Sequence, residues 1–177
     1  TDEQFHVLAI PQIGPGMEDG PYHDDFGRFR ESGNPADLYA FRTPTLLNVE
    51  VTGPYGHDGA YATLKGIVLH HLNPSRAIAE YDVTQLEPAV QTQYLVFNTG
   101  RALAKLQENR NAGQKVIRDI RLTSKQINDL INFLLTLTDP CVKNTACLAS
   151  WVPDDNDTDP DGLRLKAKIM SPVTMRH

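Results

Sequence analysis

The stretch that decides the fold is Phe41 to Pro74, FRTPTLLNVEVTGPYGHDGAYATLKGIVLHHLNP. Its second half predicts a helix from about Thr63 to Leu72, because Leu64, Ile67, Val68 and His71 recur at i, i+3, i+4 and i+7. Asn73-Pro74 ends that helix, since proline restricts the residue before it and cannot continue the ladder. By the 3.6-residue period His71 lies about 20° from Leu64 and is expected to point with the apolar stripe, while His70 falls off it. A histidine there is either a hydrogen-bonded core residue or a neutral imidazole facing a buried metal or haem iron. Periodicity alone does not choose. Earlier in the stretch, Leu46 to Val51 is compatible with extended chain, and His57-Asp58 sits among Gly53, Gly56 and Gly59 in a turn.

Outward from this block, the first sixty residues hold eight of the twelve glycines and six of the twelve prolines, which makes them loop-rich. Loops this long inside a compact domain usually wrap a ligand or carry function. Further helices are expected over Leu86–Leu95 and Ala102–Glu108, and most clearly over Ser124–Leu137. In the last of these Ile127, Leu130, Ile131, Leu134 and Leu137 form the stripe, Thr123 or Ser124 the cap, and Asp139-Pro140 the stop. No segment alternates with period two long enough to define a sheet. The expected class is mainly α with long loops.

Composition narrows the function. Among 177 residues, 17 basic against 22 acidic side chains give a net charge of −5. No Lys/Arg stretch is dense enough to track phosphates, so nucleic acid is not an expected partner. Phe133-Leu134-Leu135 is cut short by Thr136, and no segment is apolar for long enough to be a membrane span. There is no nucleophile elbow and no phosphate-binding glycine loop. Cys141 and Cys147, with five residues between them, form neither CxxC nor CxxCH; they are either a small disulfide loop, implying an oxidising compartment, or two reduced thiols. Beyond Pro140 the chain turns acidic. From Asp157 the spacing D-x-D-x-D-G matches half of an EF-hand-type loop, but Lys168 stands where a bidentate Glu is needed, and an acidic linker is the simpler reading.

Asp25-Phe26-Gly27-Arg28 together with the Phe41–Pro74 block resembles the C-terminal haem domain of bacterial di-haem cytochrome c peroxidases, a superfamily that includes the tryptophan-oxidising maturation enzyme of methylamine dehydrogenase. The opening Phe5-His6-Val7-Leu8-Ala9-Ile10-Pro11-Gln12 is similar to the segment after the second CxxCH in those proteins, and Leu122–Thr138 to their terminal helix. The resemblance covers residues 1–140 as a partial cytochrome c-like domain, leaving 141–177 as a Cys-containing acidic tail.

The resemblance implies a set of roles. A calcium ion between the domains is held in the family partly by carbonyls of the T-x-P turn, here Thr52 and Pro54. The distal axial ligand of the C-terminal haem, Met or Tyr in the family, stands seventeen residues after that proline, which is His71. Arg28, Arg42 and His57 fall at motif positions near the haem edge, where they are suited to pair with propionates. The chain contains no CxxCH, so it looks truncated before its haem-attachment segment and is expected to be inactive by itself. The implied parent is a periplasmic haem c peroxidase. Its partners would be its own N-terminal haem domain and a small electron-donor cytochrome or copper protein, with the C-terminal haem acting in electron transfer. An oxidase of a partner protein's tryptophan and a haem-less calcium-binding or interaction domain are the alternatives.

Overall fold

A computed structural model describes residues 2–114, 116–149 and 151. The chain divides into two compact units, Thr1–Thr138 and Asp139–His177. Lys168 and the acidic run from Asp154 to Gly162, on which the EF-hand reading fell, lie outside the described residues.

In the first unit the order is strand β1 (Phe5–Val7), short helix α1 (Phe29–Ser32), strand β2 (Ala40–Arg42), then helices α2 (Leu64–Leu72), α3 (Pro74–Ala79), α4 (Leu95–Asn111) and α5 (Ser124–Leu135). The two strands pair antiparallel with Phe5 opposite Arg42, His6 opposite Phe41 and Val7 opposite Ala40. The class is mainly α, as expected, with this small sheet added.

Three apolar clusters organise the unit. Val7, Ala9, Tyr39 and Ala40 from the sheet region pack on Ala102 and Leu106 of α4. Ile10, Ile13, Ala60 and Tyr61 pack with Ile67 of α2 and Leu95 of α4. Val49, Val68 and Leu134 join α2 to α5. Leu64 packs on both the second and the third cluster, so α2 lies between them.

Local chemistry sets the helix ends. Thr63 accepts a hydrogen bond from the Gly66 N–H at 3.0 Å and caps α2. The expected stop at Asn73-Pro74 is a stop and a restart: the Asn73 N–H donates to the Leu69 carbonyl, while its side chain accepts from Arg76 N–H and caps α3, whose first residue is Pro74. Proline lacks only an N–H that a first helical turn leaves unbonded anyway. Helix α5 opens on a capping box between Thr123 and Gln126. Its expected stripe holds, since Ile127, Leu130, Ile131 and Leu134 are its more buried positions.

Two expectations are corrected. Leu86–Leu95 is turn rather than helix: Pro88 withholds a donor, and Gln91 gives its carbonyl to Gly14 N–H at 2.8 Å. The helix instead starts at Leu95 and runs seventeen residues, absorbing the expected 102–108 segment. Within Leu46–Val51, Val49–Val51 is a 3-10 turn, with Val49 buried and Leu47 at 65% exposure.

In the second unit, a 3-10 turn Pro140–Lys143 leads into α6 (Thr145–Leu148), and a disulfide joins Cys141 to Cys147. Asp139 accepts from Cys141 N–H, and Asn144 from Ala146 and Cys147 N–H, so both ends of the bridged loop are capped.

Candidate functional site

Helix α2 presents two adjacent histidines to opposite surroundings. His70, not His71, faces inward: it is fully buried, and its two ring nitrogens span two chain segments. Nε2 lies 2.7 Å from the Leu8 carbonyl oxygen and Nδ1 2.7 Å from the Tyr61 hydroxyl. A carbonyl only accepts, so Nε2 carries the proton, and Nδ1 accepts from Tyr61. Burial pushes the His70 pKa down to about 4, so the imidazole is neutral at pH 7.

His71 is exposed, which corrects the expectation that it points with the apolar stripe. The period was right for Leu64, Ile67 and Val68, but the core side of α2 is centred between Ile67 and His70 because Tyr61 and Leu8 offer His70 partners. Even so, the His71 ring is fixed. Its Nδ1–H donates to the Ile67 carbonyl at 2.8 Å, one turn back on the same helix. That bond selects the Nδ1–H tautomer and leaves the Nε2 lone pair facing outward, the state in which imidazole ligates metals.

The structure brings Arg28 and Arg42 together at one end of the small sheet. The Arg28 guanidinium lies 4.2 Å from the centroid of the Phe5 ring and pairs with Asp37 at 3.1 Å. Phe5 stands opposite Arg42 in the ladder, and Arg42 pairs with Glu3. One residue back, Phe41 stacks on the His57 imidazole with centroids 3.6 Å apart and planes within 14°. His57 Nε2 sits 3.7 Å from Asp25 and 3.8 Å from Asp58. Burial pushes the His57 pKa below its ordinary value, against the pull of Asp58, and burial raises both aspartates. Asp58 is itself structural, accepting from Ile13 N–H at 3.0 Å and from Ala60 N–H at 3.2 Å. Arg28 and Arg42 therefore share the Phe5 side of the ladder, while Phe41, the preceding residue of β2, stacks on His57 towards the other face. Among the described residues no hydrogen bond or ion pair ties Arg28, Arg42 or His57 to His71.

Thr52 donates its hydroxyl to the Val49 carbonyl, and Gly53 precedes Pro54 through a cis peptide bond. Among the described residues no cluster of three or more His, Cys, Asp or Glu side chains is placed to hold a metal. That leaves a ligand set of backbone carbonyls at Thr52 and Pro54 untouched, since those atoms are not side chains.

Among the buried polar groups that escaped the sequence reading, two stand out. One is the Tyr61–His70 pair. The other is Asp24, fully buried, which accepts from the Tyr39 hydroxyl at 2.8 Å and from Arg101 at 2.9 Å. Neither has a periodic signature: the partners come from turns and helices many positions apart.

No model of a protein family matches the chain. Among curated proteins, cytochrome-c peroxidase IdrP1 of Denitromonas iodatirespirans is 38% identical over 52% of this chain and 30% of its own length. Methylamine utilization protein MauG of Paracoccus denitrificans is 27% identical over 78% of this chain and 34% of its own length. Cytochrome c551 peroxidase of Nitrosomonas europaea is 52% identical over 42 residues, 24% of this chain and 13% of its own length. The chain thus spans about a third or less of these relatives. A solved structure described as a MauG-like protein associated with microbial copper homeostasis matches with a TM-score of 0.46 at 24% identity, over 78% of this chain and 36% of that one. At modest identity, then, the chain is a homologue of part of proteins described as cytochrome c peroxidases and as methylamine utilization protein MauG.

Proposed function

We propose that this chain forms the distal side of the C-terminal haem site in a periplasmic di-haem peroxidase-type oxidoreductase, with His71 as the axial ligand. The single observation that carries this is the anchored His71 ring: Nδ1–H is held by the Ile67 carbonyl, and Nε2 is presented at the surface of α2. When bound, the haem supplies one-electron redox chemistry between a donor protein and peroxide. The chain contributes binding and charge. His71 would hold the iron, and Arg28, Arg42 and His57 would offer N–H donors to propionates, with Asp37 and Glu3 as the present partners of the two arginines. The thioether cysteines and proximal histidine of a c-type site are not among these 177 residues, so the chain alone holds one side of the group.

The partners follow from the same reading: an N-terminal haem domain of the same protein and a small electron-donor cytochrome or copper protein. Calcium at the Thr52 and Pro54 carbonyls belongs to it as well. Oxidation of a partner protein's tryptophan is the second reading, supported by the MauG relative that aligns with 78% of the chain. Turnover of peroxide with a small reduced donor, against modification of a partner protein, separates the two.

The test is His71→Ala in the haem-loaded parent protein. Loss of a strong-field imidazole should convert one haem from low-spin to high-spin in the optical and EPR spectra. An unchanged spectrum would remove His71 from the site.

A further inference from the structure

Helix α4 carries two cations on one face, away from the site described above. Arg101, Ala104, Lys105 and Glu108 stand at i, i+3, i+4 and i+7, so their side chains leave the helix on the same side. Beside that face, Ala102 and Leu106 are locked into the first apolar cluster with the buried Tyr39, and Leu38 packs against the same cluster. Tyr39 turns at φ +59°, a left-handed conformation that bulky residues rarely adopt. Between this turn and α4 lies an open cleft of about 260 Å3, lined by Leu38, Tyr39, Arg101, Ala104, Lys105 and Glu108.

The charges around the cleft are unequally held. Arg101 donates from Nη1 to Asp24 at 2.9 Å, and Asp24, with no exposure, also receives the Tyr39 hydroxyl. That carboxylate answers the guanidinium permanently, although 37% of the Arg101 side chain still faces solvent. Lys105 is only 9% exposed, deep for a lysine. Among the described residues its Nζ has one partner, Glu108 at 3.0 Å, and Glu108 is itself 68% exposed. An ion pair with so exposed a partner is weak, and Glu108 loses little by turning into water. One positive charge is therefore available to a ligand. The count selects a monoanion, because a phosphate dianion would bring a second charge that nothing in the cleft answers. Leu38 and Ala104 supply apolar wall on either side, and the volume falls just below that of sites for drug-sized molecules.

We propose that this cleft binds a small organic acid with one carboxylate and an apolar body. The carboxylate takes the place of Glu108 on Lys105 Nζ and accepts further N–H donors from the exposed part of Arg101. The body lies on Leu38 and Ala104. The two cations orient the ligand, and the apolar walls separate it from smaller anions. None of these residues belongs to the proposed haem site, so the inference stands apart from that reading.

The experiment is a 1H–15N NMR titration of the full 177-residue chain with benzoate, and with acetate and inorganic phosphate at the same ionic strength. Benzoate should give saturable shifts centred on Leu38, Tyr39 and residues 101–108. Acetate, which lacks the body, and phosphate should each bind several-fold more weakly. Ala104→Leu, at an exposed helix position, fills the cleft without touching a charge and should abolish the benzoate shifts. Glu108→Gln removes the competing carboxylate and should tighten benzoate several-fold, whereas Lys105→Gln should weaken it several-fold. The same spectra report whether each variant is folded, and the two exposed positions, Ala104 and Glu108, carry the test if Lys105→Gln is not. The absence of a saturable benzoate shift would overturn the proposal. Phosphate binding as tight as benzoate would do the same, as would unchanged benzoate binding in Ala104→Leu or no tightening in Glu108→Gln.

Discussion

Arg101 places Nη1 2.9 Å from Oδ2 of Asp24, a carboxylate with no solvent exposure that also receives the Tyr39 hydroxyl. The contact joins the loop before α1 to the second turn of α4, and the guanidinium lies 5.8 Å from the Phe26 and Phe97 ring centroids. Removing the cation leaves a buried charge with one partner. Arg101→Ala should cost about 3 kcal/mol in urea unfolding, and Tyr39→Phe about 1 kcal/mol. In a double-mutant cycle the two losses should be non-additive, because both act through Asp24. Additive losses would place the effect of Arg101 in its ring contacts.

His70 supplies a pH dependence whose sign is fixed. Its folded pKa is about 4 against an ordinary 6.5. Between those values the unfolded chain binds more protons, so stability rises with pH across that window. The contribution is complete above pH 6.5 and is lost as pH falls towards 4, amounting to about 3 kcal/mol. His57, also lowered by burial, acts with the same sign, whereas Asp25 and Asp58, both raised, act with the opposite one. Those three are common to the protein and to His70→Gln. The difference in unfolding free energy between the two should therefore be flat above pH 6.5 and shrink below it. A difference independent of pH from 7 to 4 would contradict a neutral buried His70.

Gly27 sits in the Asp25–Arg28 motif at φ +58°, bridged to Ala40. A Cβ there would stand 2.5 Å from the Ala40 carbonyl oxygen and 3.1 Å from the Phe41 ring. Backbone conformation and space both exclude a side chain, so Gly27→Ala should destabilise by about 2–3 kcal/mol. Gly33 has a similar φ of +62° but open space around it, and Gly33→Ala should cost about 1 kcal/mol. Equal losses at the two sites would mean that the close approach at Gly27 relaxes freely.

The disulfide is checked by thiol titration under denaturing, non-reducing conditions. With Cys141 bonded to Cys147 and no free cysteine in the described chain, no sulfur should react before reductant is added, and two should afterwards. Two thiols before reduction would defeat the pairing.

What the sequence made legible follows from how local each signal is. The helix start near Thr63, the cap at Thr123 and the stripe of α5 are read within one or two turns of chain, and all are present. Helix α4 was only half legible because its buried stripe is half polar: Asn98 and Thr99 hold the Tyr22 carbonyl and Gln12 N–H from distant loops. Such residues look like loop until their partners are known. The two histidines of α2 show the same limit. Their spacing placed His71 inward, but burial went to His70, whose partners Leu8 and Tyr61 lie 62 and 9 positions away. The resemblance agrees with the cytochrome c peroxidases and MauG that the chain matches, while the contacts of Arg28, Arg42 and His57 with Asp37, Glu3 and Phe41 required three dimensions.

The side chain of Gln12 donates to the Asp25 carbonyl at 3.1 Å and accepts from the Asp25 N–H at 2.9 Å, while its own N–H binds Thr99. A primary amide here stands in for a peptide group, so residues 12–25 form a ring closed without a covalent bond. A protease cut at the exposed Glu18 would therefore leave both new ends tethered, and the nicked chain should migrate as one species until a denaturant parts it. Glutamate, with the same length and no donor, would keep the bond from the Asp25 N–H and lose the one to its carbonyl.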